Sequence, residues 1–408
     1  MNPLPPPLTD PSSIPAFVLA PVDRGPDGSL LDAAAWPAQR ARWLETFAQT
    51  VYGRSPERGW TLRAGIDRED SAALGGLAVR SEILVTIATG LGERSLRILL
   101  HRPAFSRVPV PCLLGLNFAG NHTTVPDAWP TLPTGWMPCR EDDGSPGGQA
   151  RTADRGLLAR RWPMAAIVAQ GFAVATVYSG EVEPDHPDGW RAGVRAIFPE
   201  ADPATAPGDA WGTLAVWAFG LRRCLDALLA TVPELDPARM GVVGHSRMGK
   251  AALWAAAQDD RFAVAMSNDS GCTGAAIARR RFGERQVHLN RNFPHWCCRN
   301  YRAFDEREAD LPVDQHQLLA LIAPRLLHVA SAEQDHWADP DGELLACRHA
   351  APAWRVLGVE PGVLDAPPPL DAVIGHHLTY HRRPGGHDLT AVDWYRLLTV
   401  LQGHGWGR

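Results

Sequence analysis

Two absences limit the kinds of protein that this sequence can encode. The 408 residues contain no stretch of about 18 apolar residues, the length that a helix needs to cross a bilayer. They also contain no long block of like charge, and 40 basic and 45 acidic side chains leave a net charge of −5. Proteins that bind nucleic acid usually carry a basic stripe or patch, so we expect neither a nucleic-acid nor a membrane partner.

Signals for export and for metal binding are missing as well. The first residues, MNPLPPPLTDPSS, lack the basic segment followed by an apolar segment that defines a secretory signal. The seven cysteines form no C-x-x-C pair, and we interpret them as structural thiols, with one or two disulfides as the alternative if the protein is exported. Neither His376 and His377 nor the HWCC segment has a second cluster to complete four ligands, so we predict no metal site.

Apolar segments of strand length alternate with amphipathic helical segments along most of the chain. This β-α order predicts an α/β fold with a mostly parallel central sheet and helices on both faces, in three layers. The predicted strands are SEILVTIATG, SLRILLHRP, VPCLLGLNF, ARMGVVG, FAVAMSND and RLLHVAS.

We expect residues 1–408 to form a single domain, because α/β enzymes of this length often do and no internal repeat is present. Residues 1–32 are rich in proline and predict an extended arm. The helix that follows would bury Trp43 and Phe47, which are four residues apart. Residues 119–209 are irregular apart from one helix and one strand, and loops of that length usually shape a site.

A strand, a sharp turn and a helix meet in GVVGHSRMGKAALWAAA, with Ser246 at the turn. Gly244 and Gly249 flank the serine, and small residues suit a turn that brings backbone segments close together. The pattern resembles a nucleophile elbow, although its second glycine falls one position later than in G-x-S-x-G. The backbone N–H of Arg247 and the helix dipole would then stabilise an oxyanion. The alternative interpretation is a glycine-rich turn with a helix-capping serine.

A serine hydroxyl needs a nearby base, which in turn needs a carboxylate to orient it. On this kind of fold the order along the chain is serine, acid, histidine. His387, in HRRPGGHDLT after the last predicted strand, has the required position among 15 histidines, with a capping or surface role as the alternative.

Several carboxylates compete for the role of the acid. Asp335, in SAEQDHWADP after the strand RLLHVAS, occupies the usual place and is our choice. Glu333 and Asp339 lie on the same loop, and Asp269 in SNDSG follows the preceding predicted strand, so these three remain alternatives.

The motifs GHSRMGKAALWAAAQDDRFA, SNDSGCTGAAIARRRFGE, FPHWCC and LPVDQHQLLALIAPR, together with SAEQDHWADP, resemble those of a bacterial glucuronoyl esterase of carbohydrate esterase family 15. The resemblance extends from VYGRSP through LNFAGNHT to GGHD and covers nearly the whole chain. His245 stands where fungal members carry a disulfide-forming cysteine, so their disulfide is not assumed here.

The resemblance implies an α/β-hydrolase fold and hydrolysis of the ester between a lignin alcohol and the carboxyl of (4-O-methyl-)glucuronic acid on xylan. It implies no metal and no organic cofactor. Because lignin–carbohydrate material lies outside cells, we expect a secreted protein, periplasmic or extracellular, and we expect it to be a monomer.

The resemblance also assigns roles to single residues. Asp335 matches the acid of many bacterial members, and Asp269 matches the position where fungal members carry a glutamate. Arg247 would bind the oxyanion through its side chain as well as its backbone. The implied nucleophile and base are Ser246 and His387, and the implied sugar-binding residues are Lys250, Glu284 and Trp337.

Each of the sugar-binding roles has an alternative. Lys250 lies one helical turn from Ser246 and could reach a sugar hydroxyl, with a solvated charge or an ion pair as the alternative. Glu284 could be an ordinary surface carboxylate. Trp337 offers a face for a sugar ring, whereas most of the 15 tryptophans, including Trp217 and Trp254, are expected in the core.

Two other functions remain open from the sequence. The same fold and triad could cleave another ester, such as acetylated xylan or a small aryl ester. The scaffold could also bind carbohydrate without catalysing any reaction, although the complete set of serine, acid and histidine argues against that hypothesis.

Overall fold

The computed structural model describes residues 4–140 and 145–407. The chain divides into two compact units. The first unit comprises the chain up to Arg54, Gly208–Ala215 and Gly244–Asp388, and the second comprises the remaining segments. The expectation of one domain stays a prediction, and each unit is described by itself.

The second unit contains most of the strands from the amino-terminal half of the chain. Six of them follow the order β1-β2-β3-β7-β4-β8, and β5 pairs with β6 in a separate sheet. The pairs β1–β2, β2–β3 and β3–β7 are antiparallel, whereas β4 is parallel to both β7 and β8. The strands are β1 (Thr61–Ala73), β2 (Ala78–Thr89), β3 (Gly92–Pro103), β4 (Val110–Asn117), β5 (Met137–Arg140), β6 (Ser145–Gly148), β7 (Ala173–Tyr178) and β8 (Leu235–His245).

Burial along these strands follows their composition. Every residue of β4 and β7 is buried, as expected for apolar strands that pair on both sides. β1 is mostly exposed and carries several charges, which suits a strand at the edge of a sheet because charges discourage pairing with another chain.

The first unit contains four strands in the order β9-β10-β12-β11. They are β9 (Phe262–Asn268), β10 (Leu326–Ala332), β11 (Val373–Gly375) and β12 (Leu378–Arg383). β10 is parallel to both β9 and β12, whereas β11 is antiparallel to β12. The carboxyl ends of the three parallel strands therefore lie at one edge, and the loops that follow them start side by side.

Helix α5 packs against β9, and its residues from Met248 to Ala257 are all buried. The predicted helix near residue 40 is confirmed as α1, with Trp43 and Phe47 buried. Trp217 and Trp254 are fully buried, as expected. The helices are α1 (Trp36–Phe47), α2 (Met164–Ala169), α3 (Ser179–Val182), α4 (Thr213–Thr231), α5 (Arg247–Gln258), α6 (Gln286–Asn292), α7 (Gln315–Ala320), α8 (Pro340–Ala350), α9 (Pro352–Val356) and α10 (Ala391–Gly403).

The α/β-hydrolase fold class is confirmed, and the strand pairing is mixed. The described part of the predicted arm, residues 4–32, holds one short 3-10 turn at Pro11–Ser13 and isolated bridges such as that between Leu8 and Phe282. Of the helices in the described part of the chain, none combines the length and apolarity that crossing a membrane requires.

Candidate active site

Ser246 lies at the turn between β8 and α5, in the first unit. Its backbone has φ 56° and ψ −129°, a conformation that non-glycine residues rarely adopt. The N–H of Ser246 donates to the carbonyl of Asn268 at 2.8 Å, which fixes the turn to the end of β9. The side chain is partly exposed, so its hydroxyl is placed at an accessible point above the ends of the strands.

Little room for a side chain is left at Gly244 and Gly249, the two glycines that flank Ser246. A Cβ at Gly244 would lie 2.1 Å from the carbonyl oxygen of Met248, far inside van der Waals contact. A Cβ at Gly249 would meet the Cβ of Ser270 and the carbonyl oxygen of Gly244, each at 3.0 Å. The close crossing of strand and helix therefore excludes a side chain at Gly244 and would require neighbouring atoms to shift at Gly249, in line with the sequence pattern.

Arg247 is the first residue of α5. N–H groups in the first turn of a helix have no carbonyl partner within the helix, and the helix dipole places partial positive charge there. The guanidinium carbon of Arg247 lies 4.9 Å from the ring centre of Trp296 and 5.5 Å from that of Phe293. Arg247 can thus offer both a backbone donor and a charged side chain near the serine.

His387 and Asp335 form a short hydrogen bond, with Nδ1 and Oδ2 2.5 Å apart. Asp335 follows β10 and its side chain is 4% exposed, whereas the His387 side chain, after β12, is 41% exposed. The N–H of Gln334 donates to the carbonyl of Gly385 at 3.0 Å, which ties the two loops together. Occupation of Nδ1 by a carboxylate leaves Nε2 of the imidazole as the nitrogen that can accept a proton from a hydroxyl.

Asp269 follows β9 and is also buried, but its partners differ from those of Asp335. One oxygen accepts from the N–H of Ala332 at 2.6 Å, and the other accepts from Nη2 of Arg383 at 3.1 Å. Its backbone has φ 46°, in the left-handed region. Asp269 is therefore anchored to the strand ends and to an arginine.

The other two candidate acids, Asp339 and Glu333, have surroundings that differ from those of Asp335. Asp339 caps the start of α8 by accepting from the N–H of Gly342, and it is ion-paired with Arg280. Burial raises the pKa of Asp339 to about 6, against the opposing effect of the arginine. Glu333 is exposed. These surroundings give Asp339 a structural role at a helix terminus.

One group of side chains in the described residues has the spacing of a metal site. Asp269, Asp335 and His387 each offer a ligand atom, and these atoms lie within 4.8 Å of one another. Asp335 and His387 are hydrogen-bonded to each other, and Asp269 is paired with the guanidinium of Arg383. A fixed positive charge beside this group already compensates one carboxylate, which favours a triad arrangement over a bound cation.

The residues beside the serine line a cavity of about 240 Å³ in the first unit. All eight predicted catalytic, oxyanion and sugar-binding positions lie together there or in direct contact with its lining, although the outermost two, Ser246 and His387, are 141 residues apart in the sequence. The cavity is lined by Ser246, Arg247, Lys250, Asp269, Ser270, Gly271, Glu284, Phe293, Trp296, Trp337, Ala338 and His387.

Lys250 is the only lysine in the sequence, and its side chain is 4% exposed. Its ammonium donates to the carbonyls of Ser270 and Cys272 and lies 3.3 Å from Oε2 of Glu284. The ion pair considered from the sequence is therefore present. Since an ammonium has three N–H donors and three acceptors surround it, contact with a sugar hydroxyl requires an exchange of partners.

Trp337 is 43% exposed and stands at the rim of the cavity. Its ring centre lies 5.4 Å from that of His288, at an angle of 38°. The backbone carbonyl of Trp337 accepts from the N–H of Glu284 at 2.9 Å. This bond connects the exposed indole to the carboxylate that faces Lys250.

Two aromatic lining residues, Phe293 and Trp296, were not singled out as site residues by the sequence. They occur in FPHWCC, which carried part of the family resemblance but no predicted chemistry. Their spacing of three residues within a motif rich in aromatics was the available signal.

His245, immediately before the serine, is buried and its Nδ1 lies 2.6 Å from Oδ1 of Asn268. Its ring centre is 4.6 Å from that of His387.

The seven cysteines, all in the described residues, are free. Burial raises the pKa of the Cys272 and Cys297 thiols near the cavity, so they stay protonated, in keeping with structural thiols.

Comparisons with known proteins match the chain to esterases. A family model described as fungal glucuronyl esterase matches residues 207–358. A carbohydrate esterase of an unknown prokaryotic organism is 39% identical over 372 residues, which span 90% of this chain and 85% of that protein.

Two solved structures of bacterial enzymes are similar over nearly the whole chain. One, described as a promiscuous esterase of carbohydrate esterase family 15 from a marine bacterial metagenome, has a TM-score of 0.90 at 36% identity and covers 98% of this chain and 100% of its own. The other, a glucuronoyl esterase from Solibacter usitatus, has a TM-score of 0.89 at 38% identity with the same coverage. The chain belongs to the glucuronoyl esterases of carbohydrate esterase family 15.

Proposed function

We propose that this protein is a serine esterase that hydrolyses esters of (4-O-methyl-)D-glucuronic acid through an acyl-enzyme. The observation that carries the proposal is the 2.5 Å bond between His387 and Asp335 at the cavity that also holds the strained Ser246. Family membership supplies the substrate class, and the cavity supplies side chains suited to a uronate sugar.

In the first half of the reaction, Nε2 of His387 takes the proton of Ser246 as Oγ attacks the ester carbonyl carbon. Asp335 holds the imidazole by Nδ1 and stabilises the imidazolium that forms. The carbonyl oxygen becomes negative, and the N–H and guanidinium of Arg247 interact most strongly at that stage. The alcohol departs with the proton from His387 and leaves an acyl-enzyme.

In the second half, water attacks the acyl carbon while His387 again accepts a proton. The serine leaves with that proton, and the uronic acid is released. The same oxyanion donors act in both halves, because each passes through a tetrahedral intermediate.

The sugar is proposed to lie between Trp337 and the Lys250–Glu284 pair. An aromatic face packs against the apolar face of a sugar ring, and charged groups bind its hydroxyls. Because Lys250 donates to backbone carbonyls as well, we propose that Glu284 accepts from a sugar hydroxyl while Lys250 fixes the position of its carboxylate.

The natural substrate is proposed to be the ester cross-link between lignin and glucuronoxylan. Such material is extracellular, which supports a secreted protein. We also propose that the protein acts as a monomer. The 41% exposure of His387 and 43% exposure of Trp337 support this substrate, since a rim open to solvent accommodates a bulky leaving alcohol.

A rate comparison tests the substrate class. Benzyl or methyl glucuronate should be cleaved much faster than acetylated xylose or an aryl acetate, and Ser246→Ala should abolish turnover while the thermal unfolding temperature stays nearly unchanged. Faster cleavage of the acetyl esters would refute the uronate assignment and leave the mechanism intact.

A broader ester specificity is favoured by one observation, the description of a similar structure as a promiscuous esterase. Comparable kcat/KM values for uronate and acetyl esters would establish it.

A catalytically silent carbohydrate-binding scaffold is distinguished by an active-site-directed phosphonate. This reagent should label wild-type protein and not Ser246→Ala. Absence of labelling in folded wild-type protein would favour the silent scaffold.

A further inference from the structure

Trp337, the exposed indole at the rim of the cavity, lies against the imidazole of His288. Their ring centres are 5.4 Å apart and the ring planes are inclined at 38°, a geometry within the range of aromatic pairs in contact. Because Trp337 is 43% exposed, much of its ring has solvent rather than protein beside it. The contact with His288 therefore contributes to the orientation of the indole.

His288 itself is held at both of its ring nitrogens. It is 3% exposed and lies in α6. Nδ1 accepts from the N–H of Arg285 at 3.0 Å, which places the ring proton on Nε2, and Nε2 donates to the carbonyl of Pro5 at 2.7 Å. Two hydrogen bonds on different sides of the ring fix its position and its plane. His288 thus connects Trp337 to the amino-terminal arm.

The arm contacts the same chain segment again at Leu8. The carbonyl of Leu8 accepts from the N–H of Gly283 at 2.8 Å, and Leu8 forms an isolated parallel bridge with Phe282. The arm is therefore attached to this segment through backbone atoms as well as through the imidazole of His288.

On its other side, the segment lies close to the loop that carries Trp337. Gly283 has φ 61°, and a Cβ there would lie 2.4 Å from the carbonyl oxygen of His336 and 2.5 Å from that of Trp337. The N–H of Glu284 donates to the same Trp337 carbonyl at 2.9 Å. The segment thus lies between the arm and the loop of the rim, and no room is left for a side chain at Gly283.

We infer that His288, held by the arm at Pro5, is a positioning residue that sets the orientation of the Trp337 indole for the uronate ring. This inference rests on the proposed function, in which Trp337 binds the sugar. His288 lies outside the set of described residues that line the cavity, and it acts through Trp337. An indole that is oriented before binding loses less conformational freedom when a sugar packs against it.

The effect should appear in KM rather than in kcat. Trp337 would pack against the sugar in the ground state and in the transition state alike, so loss of its orientation weakens both equally. His288→Leu should raise KM for benzyl glucuronate about 3- to 10-fold, the range expected when one more side chain must be ordered on binding. The value of kcat should stay within about twofold of wild type, and a loss confined to kcat would overturn the inference.

A double-mutant cycle with Trp337→Ala tests whether His288 acts through the indole. In the Trp337→Ala background no ring remains to be oriented, so His288→Leu should change KM by less than about twofold. A full 3- to 10-fold rise in that background would overturn the inference, as would an unchanged KM in the single variant. For a variant that does not reach saturation, calorimetric dissociation constants of benzyl glucuronate in a Ser246→Ala background give the same comparison.

His316 provides a matched control, because it is buried like His288 and also contacts the arm. It is 1% exposed, and its Nε2 lies 2.8 Å from the carbonyl oxygen of Ala20. His316→Leu should lower the thermal unfolding temperature comparably and leave KM unchanged. A similar rise in KM would mean that general loosening of the arm accounts for the effect, and it would overturn the inference.

A second variant keeps the test available if His288→Leu does not fold. His288→Gln enters the same cycle, because its amide can still donate to the carbonyl of Pro5 while the ring beside Trp337 is gone. The same 3- to 10-fold rise in KM is expected, and an unchanged KM would overturn the inference.

The outcomes also separate this inference from the proposed function. A wild-type enzyme inactive on glucuronate esters would refute the function itself. If Trp337→Ala kept the wild-type KM, the sugar contact of Trp337 and the positioning role of His288 would be refuted while the esterase activity would stand.

Discussion

Asp335 and Asp269 occupy equivalent places in the sheet and have different neighbours. Each follows the carboxyl end of a parallel strand, β10 or β9, and each side chain is almost completely buried. Asp335 binds the imidazole of His387, whereas Asp269 binds the guanidinium of Arg383.

Arg383 makes the comparison more informative, because it organises the loop that carries His387. Its guanidinium donates to the carbonyls of Pro384 and Gly386 at 3.1 Å and to that of Asp388. One carboxylate thus contacts the imidazole directly, and the other holds the arginine that shapes the imidazole's loop. The two carboxylates are similarly buried and differ in their hydrogen-bond partners, and on this difference we propose Asp335 as the catalytic acid and Asp269 as a supporting residue.

The largest effect is expected from Asp335→Asn. Loss of the carboxylate removes both the orientation of His387 and the stabilisation of its charged form, so kcat should fall about 10³- to 10⁴-fold. Kinetics on benzyl glucuronate would measure this. A greater loss of kcat in Asp269→Asn than in Asp335→Asn would exchange the roles of the two acids.

Asp269→Asn should affect folding more than chemistry. The buried guanidinium of Arg383 loses its charged partner, and breaking a buried pair in this way costs on the order of 3 kcal/mol. We expect a kcat reduction of less than about 100-fold, because the bond between Asp335 and His387 remains. Denaturant unfolding and steady-state kinetics on the same preparation give both quantities.

Removal of both members of that pair sharpens the comparison further. Arg383→Met combined with Asp269→Asn leaves no unpaired buried charge, so the double variant should be destabilised by less than the sum of the single variants. The expected coupling is about 1 to 3 kcal/mol. Additive losses would mean that Asp269 and Arg383 support the loop independently.

A pH-dependent effect on stability is expected from Glu343, which connects the loop after β9 to the end of β10. One of its oxygens accepts from the N–H groups of Ser270 and Gly271 at 2.9 and 3.0 Å, and the other accepts from the hydroxyl of Ser331 at 2.5 Å. Burial raises the pKa of this carboxyl to about 7, although these hydrogen bonds oppose the shift.

Between an unfolded pKa near 4.5 and the folded pKa near 7, the folded state of the protein binds more protons than the unfolded state. The contribution of Glu343 to stability is therefore lost as pH rises through this window, by at most on the order of 3 kcal/mol. Glu343→Gln should remove that dependence, and its stability relative to wild type should improve between pH 4.5 and 7. Parallel stability curves for the two proteins would contradict the raised pKa.

The sequence predicted the features that depend on local patterns. Apolar runs identified β4, β9 and β10, and the glycines around Ser246 identified the turn there, because burial and close backbone approach leave clear compositional traces. The edge strand β1 was missed because its largely exposed residues show no hydrophobic face. β5 and β6 contain proline and glycine and gave no strand signal.

The site features that the sequence did not indicate arise from contacts between distant segments. Nothing in GHSRMGK shows that the carbonyls of Ser270 and Cys272 would surround the ammonium of Lys250. Likewise, the close parallel packing of the Phe293 and Trp296 rings depends on how the segment after α6 turns back on itself. Pairing preferences of buried polar atoms are properties of the folded chain, and residue spacing does not reveal them.

The burial of Lys250 has a consequence for the rest of the protein's surface. Since it is the single lysine among 40 lysine and arginine residues, the other 39 are arginines, which keep their protons even in strongly alkaline solution. The cationic charge of the exterior should thus stay constant through the alkaline range in which lysine-rich proteins lose theirs. Acylating reagents such as succinimidyl esters would find no side-chain amine on that exterior, and coupling the enzyme to an amine-reactive resin through a side chain would require a newly engineered lysine.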